Sequence, residues 1–279
     1  MEQETQGACC AGCAEPEPPS RAVAVSYVYA LGQVETRFPS LAAEKEFAQA
    51  TARSETKGKS DRQVFHAVLS RRENRYLVRQ VCWVFTVQGL ETYLLRPRDP
   101  ADMDLLLEAL RPAPSPSDLD VVVGLRGPVA PPQMCNGLTL PIVAFDQIYS
   151  FERAALIGAI PKPKGASAEQ FGPAAEELFD RIMQLTDNAG ATSEHRALNY
   201  LATRYPAIYA KAAEAFGRDS SLTGVEVRPS TLGSGRNIVD CVFAYTNRNT
   251  DFTEKWFVRV DVTEEFPFLV TKLSPSFDR

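Results

Sequence analysis

The chain has 279 residues, 44% of them apolar, with 30 Lys and Arg against 35 Asp and Glu for a net charge of −5. This composition excludes wholesale disorder and leaves no basic footprint for nucleic acid or an anionic lipid surface. No apolar run approaches the roughly 18 residues of a membrane-spanning helix, and Glu2, Gln3 and Glu4 open the chain without an apolar signal core, so a cytoplasmic protein is expected.

Residues 1–22 read as a disordered Cys/Pro-rich tail. Cys9, Cys10 and Cys13 precede Pro16, Pro18 and Pro19, which stiffen an extended spacer. From Val23, the residues Val23, Val25, Tyr27 and Tyr29 alternate with small side chains, the period of a half-buried strand. Ser40 after Pro39 can cap a helix carrying Leu41, Phe47 and Ala48. Ser60 and Gln63 have the spacing of a capping box, and behind them Val64/Val68 and Phe65/Leu69 pair on one helix face. Val81–Val87 is almost continuously apolar and β-branched or aromatic, as in a strand covered on both faces. Gln88 and Gly89 turn it back through Glu91–Leu95. Asp99 and Pro100 start a helix with Met103, Leu106 and Leu110, and Pro112 stops it. Beyond the Pro/Ser stretch 112–117, Val121–Val123 is a buried strand. Leu138–Phe145 is the next, with Pro141 marking an edge or irregular position.

Pro161, Pro163 and Gly165 form the best internal boundary, dividing a module at 23–160 from one at 166–279. In the second module a helix is expected from Pro173 to about Thr186, its stripe made by Leu178, Phe179, Ile182 and Met183. Asn188 and Gly190 can end it, and Thr192 or Ser193 can start another, which Pro206 must kink or restart. After Gly217 the period becomes two. Val225–Arg228, Ile238–Thr246, Lys255–Val260 and Leu269–Leu273 read as strands, with turns at 233–235 and 247–249. The expected class is α+β: a mixed α/β module, then helices with an antiparallel strand meander.

Complete chemistry is hard to assemble from these residues. Cys9, Cys10 and Cys13 supply part of a zinc set, two thiolates in a CxxC bite plus a third, with His66, Cys135 or a second chain as possible fourth donors. The other cysteines are scattered, and a cytoplasm keeps them reduced. Cys135 is the best candidate for an exposed thiol. His195, in a helix's first turn, is kept neutral by the helix dipole and is a potential base, so a Cys135–His195 dyad is the one conceivable nucleophilic pair. Gly233-Ser234-Gly235 lacks the spacing of a phosphate loop and reads as a hairpin turn. Asp261, Glu264 and Glu265 offer an acidic pair or cation site, but a solvated connection between strands is the simpler reading. Tyr27, Tyr29, Trp83 and Trp256 read as core.

Several longer segments carry a resemblance. They are Tyr27–Gly32, Arg37–Ala42, Gln147–Phe151, Glu177–Met183, Asp187–Thr192, Glu194–Leu201 and Phe257–Pro267. Together they resemble the C-terminal region of PatG-type cyanobactin maturation proteases, from Val23 to Arg279. In that family this region, a domain of unknown function, follows a subtilisin-like domain that trims and cyclises a precursor peptide. No Gly-Thr-Ser-Met-Ala-type serine motif stands in this sequence, and neither His66 nor His195 has a subtilisin context. Protease and macrocyclase activities, and any catalytic residues, therefore do not carry over.

The resemblance implies a place in ribosomal peptide maturation. The expected role is a non-catalytic accessory module, without cofactor, that holds a precursor peptide or a maturation enzyme through a groove or sheet edge. A homodimer is compatible with this, since a surface that meets another domain in the family can pair with itself. The alternative is a small hydrolase or transferase using Cys135 and His195, metal-assisted through the N-terminal cysteines.

Overall fold

A computed structural model describes residues 25–52, 54, 57–111, 118–160, 168–184, 188–232 and 235–276. The tail 1–22 with Cys9, Cys10 and Cys13, the boundary at 161–165 and the Pro/Ser stretch at 112–117 lie outside the described residues, as do Gly233 and Ser234.

Five strands close into a barrel in the order β1-β2-β3-β5-β4. They are β1 (Tyr27–Arg37), β2 (Cys82–Val87), β3 (Leu90–Pro97), β4 (Asp118–Val129) and β5 (Pro141–Glu152). All neighbours are antiparallel except β3 and β5, which run parallel with Leu95 opposite Val143. β1 is shared along its length. Its first half, Tyr27 to Gly32, pairs with β4, and its second half, Gln33 to Arg37, pairs with β2. β1 is not the half-buried strand its alternation predicts. Val28 and Ala30 enter one core, while Tyr29 and Leu31 enter another, so both faces are covered.

The first core is completed by helices α1 (Leu41–Ala52), α2 (Asp61–Leu69), α3 (Arg75–Gln80) and α4 (Met103–Leu110). Phe47, Leu69, Leu77 and Leu106 pack there with Trp83, Phe85 and Phe145. The capping box at α2 forms as the sequence predicts, Ser60 accepting from the Gln63 N–H and Gln63 accepting from the Ser60 N–H. Asp120, buried between the barrel and these helices, accepts from the Val34 N–H at 2.7 Å and sits 3.4 Å from Arg62. Arg62 also donates to the Leu110 carbonyl at the end of α4.

The second half holds α5 (Arg153–Ala159), α6 (Ala168–Met183), α7 (Ser193–Arg204) and α8 (Ala207–Phe216). They cover one face of a four-stranded antiparallel meander, β6 (Ser220–Pro229), β7 (Ile238–Asn247), β8 (Thr253–Asp261) and β9 (Phe268–Ser276). The class is α+β, with the expected meander at the C-terminal end. Pro206 restarts the helix, as its lost N–H requires. Pro173 does not open α6: the helix begins five residues earlier and carries the proline inside it. β5 likewise runs beyond the predicted Phe145 to Glu152, with Pro141 as its first residue.

The two halves meet through β1. The Tyr29 N–H donates to the Gly190 carbonyl at 2.9 Å, and the Tyr29 carbonyl accepts from Asn199 of α7 at 2.8 Å. Asn188 and Asn199 exchange side-chain hydrogen bonds, and Tyr93 donates to the Ala189 carbonyl. The loop before α7 thus serves the edge of β1 that β2 does not reach.

Candidate functional site

The cysteines depart most from expectation. Cys82 and Cys135 form a disulfide, with a Cα–Cα distance of 5.9 Å. Cys135 is not an exposed thiol: it is buried beside Val84, Leu94 and Ala130, in a turn where Asn136 and Gly137 take positive φ. As a disulfide sulfur it offers no thiolate. His195 stands elsewhere, in the first turn of α7, where its N–H is capped by Thr192. Cys135 lies in a small cluster with Cys82 and Val84, whereas His195 stands on α7, whose Ala197 and Leu198 pack into a different core, and no dyad is assembled from the two. Cys241 is fully buried, and burial pushes its thiol pKa up, away from reactivity. Among the described residues, no three His, Cys, Asp or Glu cluster as metal donors. His66 is half-buried on α2, its pKa lowered by burial and by Lys59.

Chemistry concentrates instead at the turn between β8 and β9. Arg196 of α7 is buried and donates to the carbonyls of Val262, Glu264 and Glu265, the first at 2.7 Å and the last at 3.0 Å. Its guanidinium also lies over the Tyr27 ring at 5.2 Å. Glu265, expected from the sequence in a solvated connection, is instead largely covered. It reaches back to the barrel, where Arg98, just past β3, contacts it at 3.1 Å and also pairs with Asp146 of β5. Burial, followed by the hydrogen bond and charge of Asp146, raises the Glu265 carboxyl to about 7. For Asp146, burial is outweighed by the Glu265 hydrogen bond and by Arg98, so its pKa is lowered. The acidic pair is therefore Glu265 with Asp146, not Glu265 with Glu264. Asp261, also buried, pairs with Arg236, whose guanidinium lies 5.2 Å over the Phe268 ring.

That anchored turn presents strand β9, the outer edge of the meander. Phe266, Phe268 and Val270 are large apolar residues left exposed at the turn and along the strand, and Lys272 continues their row. Alternate residues Leu269 and Leu273 pack toward the helical core. The edge is built as an extended surface rather than a pocket. Its apolar residues are visible in the sequence, but their exposure depends on β9 being last in the sheet, which the meander reading implies without stating. Arg196 and Arg98 are missed as site residues, because nothing local to them points toward β9.

A separate open groove of about 470 Å³ lies at the barrel, lined among others by Arg37, Phe38, Glu44, Glu91, Cys135 and Leu138. An Arg37–Glu91 ion pair at 2.8 Å spans two of its walls. Cys135 enters the groove only as half of the disulfide to Cys82, so it supplies no thiolate beside Glu44 and Glu91.

Comparison with known proteins gives the following. Residues 165–275 match the family model described as PatG C-terminal. A solved structure titled "PatG Domain of Unknown Function" shares the fold with a TM-score of 0.73, at 20% identity, covering 90% of this chain and 98% of that one. A search of curated proteins returns no match. The resemblance to PatG-type C-terminal regions read from the sequence is borne out, and the likeness in fold extends upstream of the family match into the barrel. No helix among the described residues is long and apolar enough to cross a membrane.

Proposed function

From a PatG-type fold as premise, we propose that this chain is a non-catalytic accessory module of ribosomal peptide maturation that holds a precursor peptide in extended form along strand β9. One observation carries the reading: an edge strand of nine residues keeps Phe268 and Val270 exposed in alternation, beside the exposed Phe266 of the turn. An edge strand offers backbone groups for pairing, and alternate side chains supply specificity. Edges are normally blunted by charge or proline, and β9 carries Lys272 and Pro275 toward its end, but the exposed Phe266, Phe268 and Val270 at its start fit a surface that is meant to be covered. The anchoring of the β8–β9 turn by Arg196 and Arg98 supports the same reading, since a fixed strand loses little entropy when a peptide pairs with it.

The alternative, a small hydrolase or transferase on Cys135 and His195, requires a thiolate that the disulfide to Cys82 withholds. A zinc-assisted version rests on Cys9, Cys10 and Cys13, which lie outside the described residues.

The test is titration of the purified chain with fluorescent fragments tiling a cyanobactin-type precursor peptide. Binding at micromolar or tighter affinity, reduced at least tenfold by Val270→Arg in a protein with unchanged circular dichroism, is the expected result. Failure of every fragment to bind, or equal binding by the Val270→Arg protein, overturns it.

A further inference from the structure

Along β9, two backbone N–H groups meet tyrosine hydroxyls rather than a strand. The Leu273 N–H donates to the Tyr205 hydroxyl at 3.0 Å. The Leu269 N–H faces the hydroxyl of Tyr200, where burial raises the hydroxyl's pKa and the nearby N–H opposes the rise. Tyr200 belongs to the last turns of α7 and Tyr205 is its C-terminal cap residue, so both hydroxyls come from one stretch packed along the edge. Residues 269 and 273 are four apart, about 13 Å along a strand, a separation at which an added strand would place two of its own acceptors. Between them, the Thr271 hydroxyl turns toward β8 and accepts from the Arg259 N–H at 3.1 Å. The tyrosines thus hold part of the hydrogen-bond pattern of a fifth strand with side chains, which can rotate away, where a strand would hold it with backbone.

Resting on the peptide-binding reading above, we infer that Tyr200 and Tyr205 are placeholders for a fifth strand: an extended peptide pairs with β9 by displacing their hydroxyls from Leu269 and Leu273. The side chains on the exposed face define the peptide. Phe268, Val270 and Lys272 follow one another at two-residue spacing, so the fitting segment carries apolar side chains at two alternate positions and a carboxylate at the next. The placeholders keep the edge satisfied when no peptide is present, which limits pairing between copies of the chain. They also weaken peptide binding by the hydrogen bonds that must be exchanged.

The experiment compares the full-length chain with Tyr200→Phe, Tyr205→Phe and the double variant, which keep the rings and remove the hydroxyls. The probe is a fluorescent ten-residue peptide of alternating Val and Thr in which Asp replaces one Val. Anisotropy titration should show the double variant binding on the order of tenfold more tightly than the unaltered chain. Without peptide, amide hydrogen exchange at Leu269 and Leu273 should accelerate in the variants while other protected amides are unchanged, which shows that the fold is kept. Equal affinity for all proteins, with binding intact, overturns the placeholder role and leaves the binding reading standing. No binding by any of them overturns both. A double variant that dimerises in sedimentation, with dimerisation lost on adding Val270→Arg, makes a second copy the occupant and overturns the peptide assignment.

Discussion

Gly190 shows how single residues fix the joint between the halves. Its φ is +72°, and a Cβ built there would lie 2.3 Å from the Tyr29 carbonyl oxygen. Only glycine tolerates that conformation cheaply, and here even the space for a methyl group is missing. The close approach is what brings the Gly190 carbonyl within 2.9 Å of the Tyr29 N–H. Gly190→Ala should therefore destabilise the protein by about 2–4 kcal/mol, combining left-handed strain with overpacking. Urea denaturation is the check, and a loss below 0.5 kcal/mol would show that the loop relaxes away from β1 at no cost. The sequence marks Gly190 as a helix terminator, a local role, and gives no sign that its neighbour is Tyr29. Short-range chemistry was readable for the opposite reason. Thr192 capping His195 and Ser60 bonding Gln63 each join residues three apart, so both partners lie within one reading window.

At the scale of elements, the β8–β9 turn is set by partners far away in sequence. Arg98 and Asp146 from the barrel face Glu265, Arg196 of α7 holds its backbone, and Tyr27 of β1 approaches Glu264 at 3.5 Å. The pair has a definite pH signature. The Glu265 carboxyl is raised from 4.5 to about 7 in the folded protein, so the folded state binds this proton more tightly than the unfolded state. Its contribution is complete below the unfolded value and is lost as pH rises through about 7. Asp146, with its pKa lowered, acts with the opposite sign, and its contribution is lost only at more acidic pH. Glu265→Gln keeps a neutral group in place. Relative to the unaltered protein, the variant should gain about 1 kcal/mol in unfolding free energy between pH 4.5 and 8, a value reduced for solvent screening at the turn. Parallel pH dependences for the two proteins would rule out the shared proton. The elements themselves were largely legible: the four strands of the meander, α2, α4 and α7 follow from period and caps. The barrel was not. Its closure depends on β3 lying parallel to β5 and on β1 serving two neighbours, and no periodicity encodes pairing partners. The Cys82–Cys135 bond was hidden for the same reason, joining residues 53 apart whose strand and turn neighbours meet only in the closed barrel.

For the whole molecule the question is whether the halves on either side of residues 161–165 stand alone. The core argues that they do not. Tyr29 and Leu31 of β1 and Val121 and Val123 of β4 are buried in the same cluster as Leu178, Phe179, Leu198, Leu201, Cys241 and Val258. The Tyr29 hydroxyl adds hydrogen bonds at 2.9 Å to Tyr149 in the barrel and to Thr203 on α7. Fully burying one such side chain contributes roughly 1.5–3 kcal/mol, so uncovering these four alone approaches the 5–15 kcal/mol by which a typical protein is stable. Neither half can then unfold first without exposing the other's core, and one cooperative transition follows. The two tryptophans report on opposite halves, Trp83 from the barrel and Trp256 from β8. In Trp256→Phe the remaining fluorescence follows the barrel, and in Trp83→Phe it follows the meander. Within each variant, the fluorescence midpoint in urea should coincide with the midpoint from far-ultraviolet circular dichroism, which reports both halves together. A fluorescence midpoint displaced from the dichroism midpoint by more than the fitting error would mean two independently folding units. The peptide edge would then belong to the meander alone, and its anchorage on Arg98 and Asp146 would no longer be needed to hold β9 in place.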